Sequence, residues 1–271
     1  MFDWLRARRR QRILAAPFPA AWDGYLDRNV AMARRLDPGQ RQALRAFIQV
    51  FIAERHWEGC GGLELTEEIQ VTIAAQAGLL VLGRDDRLYA DVASILVYPS
   101  TVITPPRRLG VFEQPRAPVS HGTLLRGEAM LGGPVVLAWD AVLAGAREEV
   151  PGNVVLHELA HKLDMATGRI DGAPPLGSRH ERRRWAAVCA AAFARHRAET
   201  DAGWPTAIDA YGATNEAEFF AVATETFFTR PAALDQEHPA LFALLRDFYR
   251  VDPHALAPPP PVVALDEWFV N

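Results

Sequence analysis

The sequence predicts an α+β fold, mostly helical, with a small sheet beside one central helix. Three observations lead there. Apolar residues recur at helical spacing through most of the 271 positions. Two short runs rich in β-branched residues, "ASILVYP" (93–99) and "GPVVLAWD" (133–140), are bounded by proline or glycine and read as strands. An apolar fraction of 49% against 23% charged residues is that of an ordinary globular chain with a buried core.

The elements follow in order. The opening "MFDWLRARRRQRILAAPFPAAW" places a basic stretch before a short apolar one, but Pro17 and Pro19 break that run before it reaches signal-peptide length. Its arginines (6–12), like those of "RHERRRW" (179–185), read as solvated helix faces. From Asp37 a helix is predicted, with Leu44, Phe47, Ile48, Phe51 and Ile52 on one face. "EGCGGLEL" (58–65) reads as a turn or loop. Thr66 then caps a helix with Glu67 and Glu68 in its first turn; through "IQVTIAAQAGLLVL" it is apolar nearly all round, which predicts a central position. Between the two strands, 99–118 is rich in turn formers and reads as irregular.

Asn153 caps a helix that runs to about Met165 and stops at Gly168. Further helices are predicted over 182–199, from Asn215 through "EAEFFAVATETFF", and, after Pro231, as one helix over "PALFALLRDFYRV". Residues 1–256 read as one domain. "APPPP" (257–261) imposes extended geometry on a tail that carries Trp268 and Phe269, expected to dock on the body or a partner.

Composition excludes several functions. A net charge of −4 supplies no overall positive field for nucleic acid or an anionic membrane. No run approaches the roughly 20 apolar residues of a membrane span. Cys60 and Cys189 make neither a disulfide framework nor a thiolate metal site, and read as small buried apolar residues. The protein is expected in the cytoplasm.

The segment that carries chemistry is "NVVLHELAHKLDM" (153–165). Residues four apart share a helix face, with β-carbons about 6 Å apart, so His157 and His161 can reach one ion. Zinc takes nitrogen ligands at about 2.0–2.1 Å and keeps a position open in catalytic sites. A bound dication lowers the pKa of water, and Glu158 can take that water's proton. The alternative is a pair of core histidines, with Glu158 on the solvent side. The setting among Val154, Val155, Leu156, Leu159 and Leu163 favours the metal.

Asp164 and Thr167 occupy the positions where a metzincin would carry glycine and a third histidine, which excludes that class. The alternative is a glutamate from a second helix, and "YGATNEAEFFAVATETFF" offers Glu216, Glu218 and Glu225. Glu218 and Glu225 lie seven apart on one face. Glu218 also falls where a glutamate closes a capping box with Asn215, so spacing leaves the two open. Asp164 and Asp209 are candidates to orient the histidines, Asp164 reading equally as a charge near the helix end; "GPVVLAWD" reads either as a sheet edge for a peptide or as a plain core strand.

"HELAHKLDM", "DGAPPL" (171–176), "DAYGATNEAEFFAVATETFF" (209–228), "SILVYPS" (94–100), "RGEAMLGGPVVLAWD" (126–140) and the segment 51–83 together resemble the Mlc titration factor A family of bacterial zinc peptidases. The resemblance runs from about Pro17 to about Asp252. The family is similar in its catalytic core to the anthrax lethal factor peptidase domain. It implies a gluzincin-like zincin with one Zn2+ on His157, His161 and Glu218, Glu158 as general base, and Tyr211 facing the substrate carbonyl. Glu225 is then expected one shell out. A phenol at that carbonyl would stabilise the charge that forms on oxygen. The resemblance implies a peptide or protein substrate. It also implies a partner, a transcriptional repressor of sugar-uptake genes, whose binding without catalysis is the alternative function.

Overall fold

The structure is a computed structural model that describes residues 2–84, 86–103, 124–125 and 127–257. Helices α1 (Phe2–Ala15) and α2 (Ala20–Asn29) precede a short 3-10 turn, Ala31–Arg35. The arginine run of α1 is not wholly solvated. Arg10 meets Glu54 at 2.7 Å and Arg9 donates to the Ala53 carbonyl, which ties α1 to the end of α3 (Pro38–Glu54). Asp37 starts α3 with a capping box to Gln40. Leu44, Ile48 and Phe51 are buried as the periodicity requires.

Strand β1 (His56–Gly59) ends inside the 58–65 stretch that local signals assign to a turn or loop. Its only strong strand former is Trp57, and its geometry comes from parallel pairing with β2 (Ser94–Tyr98). Between them lies α4 (Glu67–Leu79), capped by Thr66 and buried from Val71 to Leu79. Next come β3 (Val102–Ile103), β4 (Leu124–Leu125), β5 (Gly127–Ala129) and β6 (Val135–Ala138). Most of the turn-rich 99–118 segment, and the tail with Trp268 and Phe269, lie outside the described residues.

The main sheet has the order β1-β2-β6-β5, with β5 antiparallel to its neighbour and the other pairs parallel. Strand β6 is thus paired on both sides, and all four of its residues are buried. The expectation that it offers a free edge is corrected: it is a core strand, and β5 lies outside it. Trp139 and Asp140 do not extend the strand but open α5 (Trp139–Ala146).

Helix α6 (Val154–Met165) carries the two histidines and packs against α4, α5, α8, β5 and β6. Its Val155, Leu156, Leu159, Ala160 and Leu163 are fully buried. Each of the larger ones contributes about 1.5–3 kcal/mol through burial. Then come α7 (Arg179–Asp201), a 3-10 turn at Ala210–Ala213, α8 (Glu216–Thr229), α9 (Pro231–Glu237) and α10 (Pro239–Tyr249). The helix expected over "PALFALLRDFYRV" is α10, and the short α9 before it was not expected. Pro239 bars its predecessor from helical geometry, and His238 accordingly sits at φ −131 and ψ 61.

One apolar cluster extends from Leu26 to Leu256, with α6 inside it. Both cysteines are free and half-buried, and burial pushes the Cys189 thiol up to about 12, away from nucleophilic use. No helix among the described residues is long and apolar enough to cross a membrane.

Candidate metal centre

Helix α6 starts where Asn153 accepts the Leu156 N–H, and the Asn153 amide donates at 2.8 Å to Gln76 on the buried α4. That anchorage fixes the rotation of α6 in the core. His157 and His161 then project from one face, with ring centroids 4.8 Å apart.

Helix α8 supplies the facing carboxylates. Asn215 accepts the Glu218 N–H at 2.9 Å, but the Glu218 carboxylate does not return to complete a capping box. Its Oε2 lies 3.3 Å from Nε2 of His157 and 3.3 Å from Nε2 of His161. One donor atom from each of these three residues falls within 4.8 Å of the others. Glu225, two turns along, reaches the opposite side of the same imidazole, with Oε2 at 3.3 Å from His157 Nδ1.

These residues fit a metal. Glu218 Oε2 is buried without a hydrogen-bond partner, facing two imidazole nitrogens. Convergent lone pairs away from water are costly unless a cation joins them. The electrostatics agree. Burial disfavours a charged imidazole, yet Glu218 and Glu225 raise His157 to about 10. Burial likewise opposes the charge on Glu218, but the two imidazoles hold it well below the usual carboxylate range. The cluster favours positive charge at its centre, from a proton or a dication.

Glu158 is buried at 6% exposure. Burial raises its carboxyl, against the two imidazoles, so it is placed to take up and release a proton. Strand β5 passes directly over it. A Cβ at Gly127 would lie 2.7 Å from Glu158 Oε1 and 2.6 Å from Val154 Cγ2, so only glycine permits this approach. Tyr211 stands on the 3-10 turn before α8, its ring centroid 6.1 Å from that of His157. Burial of its hydroxyl, then the charge of Glu218, raises its pKa, so the phenol keeps its proton.

The two aspartates act elsewhere. Asp164 is buried and accepts the N–H groups of Asp171 and Ala173, at 3.3 and 2.9 Å, and among the described residues it bonds to neither histidine. It folds the 171–173 loop onto the first turn of α8. Gly172 there has φ +72, and a Cβ would stand 2.4 Å from the Glu216 carbonyl. Asp209 accepts the Tyr211 N–H at 2.9 Å and so shapes the tyrosine's turn rather than a histidine.

Lys162 was not singled out by sequence. It is fully buried, donates to the carbonyls of Met130 (2.7 Å) and Gly133 (3.0 Å), and lies 3.5 Å from Asp91 Oδ2. It thereby ties the turn between β5 and β6 to α6. A lysine set between the apolar residues Leu159, Ala160 and Leu163 of α6 was the available signal.

The sequence pattern of the family described as glucose-regulated metallo-peptidase M90 matches residues 4–250. An uncharacterized protein of Synechocystis sp. is 36% identical over 257 residues, 93% of this chain and 90% of its own length. The proteins named Mlc titration factor A from Yersinia pestis and Yersinia pseudotuberculosis are 30% identical over 263 residues, 94% of this chain and 92% of theirs.

Proposed function

Because this chain belongs to the M90 family of metallo-peptidases, we propose that it hydrolyses peptide bonds with one zinc ion held by His157, His161 and Glu218. The observation that carries this reading is the convergence of those three donors beside the buried carboxyl of Glu158. Two imidazoles and one carboxylate suit zinc, and the family makes a metal ion the expected cofactor. When bound, zinc supplies Lewis-acid polarisation of the water and of the scissile carbonyl.

The chain's own residues do the rest. Glu158 takes a proton from the attacking water and passes it to the leaving amine, a shuttle that its raised pKa favours. Tyr211 donates its hydroxyl hydrogen to the carbonyl oxygen as charge develops there. Glu225 accepts from His157 Nδ1, which directs Nε2 toward the ion. The outer edge of β5, unpaired among the described residues, suits an extended substrate backbone. Glu158→Gln should retain zinc and fold while turnover falls by about 10²–10⁴-fold, the usual size of a general-base contribution. Near wild-type hydrolysis by a zinc-loaded E158Q protein would reject the mechanism.

A second reading rests on the name of the Yersinia relatives, Mlc titration factor A. By that likeness the chain binds a transcriptional repressor protein in the cytoplasm and removes it from action. The two readings can coexist. Co-purification of E158Q with a repressor from the same cell tests the binding role independently of turnover.

A further inference from the structure

We propose that His196 is a positioning residue that holds the Tyr211 turn in register with Glu218; the proposal rests on the peptidase reading of this site. His196 belongs to the long helix α7 and is fully buried, away from the metal cluster. Its Nε2 lies 3.1 Å from the main-chain oxygen of Asp209. A carbonyl only accepts, so the imidazole proton sits on Nε2 and is donated to it. The same carbonyl accepts the Gly212 N–H at 2.9 Å, while the Asp209 carboxylate accepts that of Tyr211. Asp209 is therefore the hub of the turn, and His196 fastens the hub to α7.

The ring also fills the space behind the turn. A Cβ at Gly212 would lie 3.5 Å from Nε2 of His196. On its other side the ring stands 6.0 Å, centroid to centroid, from Phe219, the residue after Glu218. One side chain thus touches both the turn that carries Tyr211 and the helix that carries Glu218.

Packing alone gives no reason for a histidine here. Its Nδ1 is buried and has no partner among the described residues. A buried unpaired polar atom is costly, and a hydrocarbon side chain of similar size would avoid that cost. The Nε2 bond is the feature a hydrocarbon cannot supply. A 3-10 turn of four residues, with Tyr211 53% exposed, needs such outside anchorage to keep a phenol in place.

The test uses the full-length zinc-loaded protein with His196→Leu, which removes the donor, and His196→Gln, whose amide can reach the same carbonyl. Amide exchange in residues 207–214 should accelerate by about tenfold in H196L, with protection of α6 and zinc content unchanged. On a peptide substrate, kcat should fall by about tenfold with KM nearly constant, and H196Q should recover most of the loss. In a Tyr211→Phe background the leucine change should cost less than about twofold, because the group it positions is gone. Unchanged exchange over 207–214, or a kcat loss carried in full into the Y211F background, would overturn the proposal. If H196L does not fold, His196→Asn, too short to reach the carbonyl, takes its place under the same criteria. If the wild-type protein hydrolyses no peptide, the peptidase reading falls, and the exchange measurement alone decides whether His196 anchors the turn.

Discussion

Glu218 and Glu225 carry the same chemical group on the same helix, and what separates them is where each meets His157. Glu218 faces Nε2 together with His161, whereas Glu225 faces Nδ1 alone. Removing Glu218 deletes one of three converging donors, so Glu218→Ala should weaken zinc binding far more than any neighbouring change. Glu225→Ala removes an orienting acceptor, and such partners typically contribute about 10–100-fold in metal affinity. Zinc competition with a chromogenic chelator ranks the two variants. A larger loss in E225A than in E218A would exchange their roles. Spacing could not rank them, because two turns of helix return to the same face; the choice needed the depth of each residue against α6.

At the scale of elements, α6 and β5 lie close enough that the strand can carry no side chain above Glu158. Gly127→Ala would put a Cβ 2.7 Å from both Cγ and Oε1 of Glu158, so the strand or the glutamate must move. Overpacking of this kind costs about 1–3 kcal/mol. The expected outcome is a thermal midpoint lowered by a few degrees, zinc retained, and hydrolysis reduced more than stability. A fully active G127A protein would show that Glu158 does not need its present position. The elements that build the centre were the legible ones. Asn153 and Asn215 mark the starts of α6 and α8, and apolar spacing shows their buried faces. Strand β1 and the strand-to-helix change at Trp139 were not legible. The first depends on its pairing with β2, and the second occurs inside one apolar run that suits either structure.

Across the whole molecule, buried histidines that are not among the three converging donors make stability depend on pH. His196 and His238 are both lowered, first by burial, and stay neutral in the native protein. An unfolded histidine titrates near 6.5. Below that pH the unfolded chain binds protons that the native chain refuses. The stability these groups contribute is therefore fully present above about pH 6.5 and is lost as pH falls through their native values. Glu199, Glu237 and Asp209 oppose the shift at His196, and Glu199 and Glu237 oppose it at His238, where Arg195 and His196 add to it. Urea midpoints at pH 7.5 and 5.5 should fall with acid in the wild type and fall less in His238→Phe. Comparing the two proteins cancels any acid release of metal common to both. Equal slopes would remove His238 from the account.

The helix with His157, Glu158 and His161, the cap that starts it, the mostly helical class with a small sheet, and the family all follow from sequence. Those features are local or cumulative: a four-residue spacing, an asparagine before an apolar run, a pattern matched along 4–250. Only the packed molecule shows that the Glu218 carboxylate turns to the imidazoles rather than back to its own helix cap, that β6 is interior, and that Asp164 serves a loop. It also decided what His196 and Lys162 touch. Each of these depends on which other segment arrives at a side chain, and hydrogen-bond partners 7 to 32 residues away leave no periodic trace in the chain.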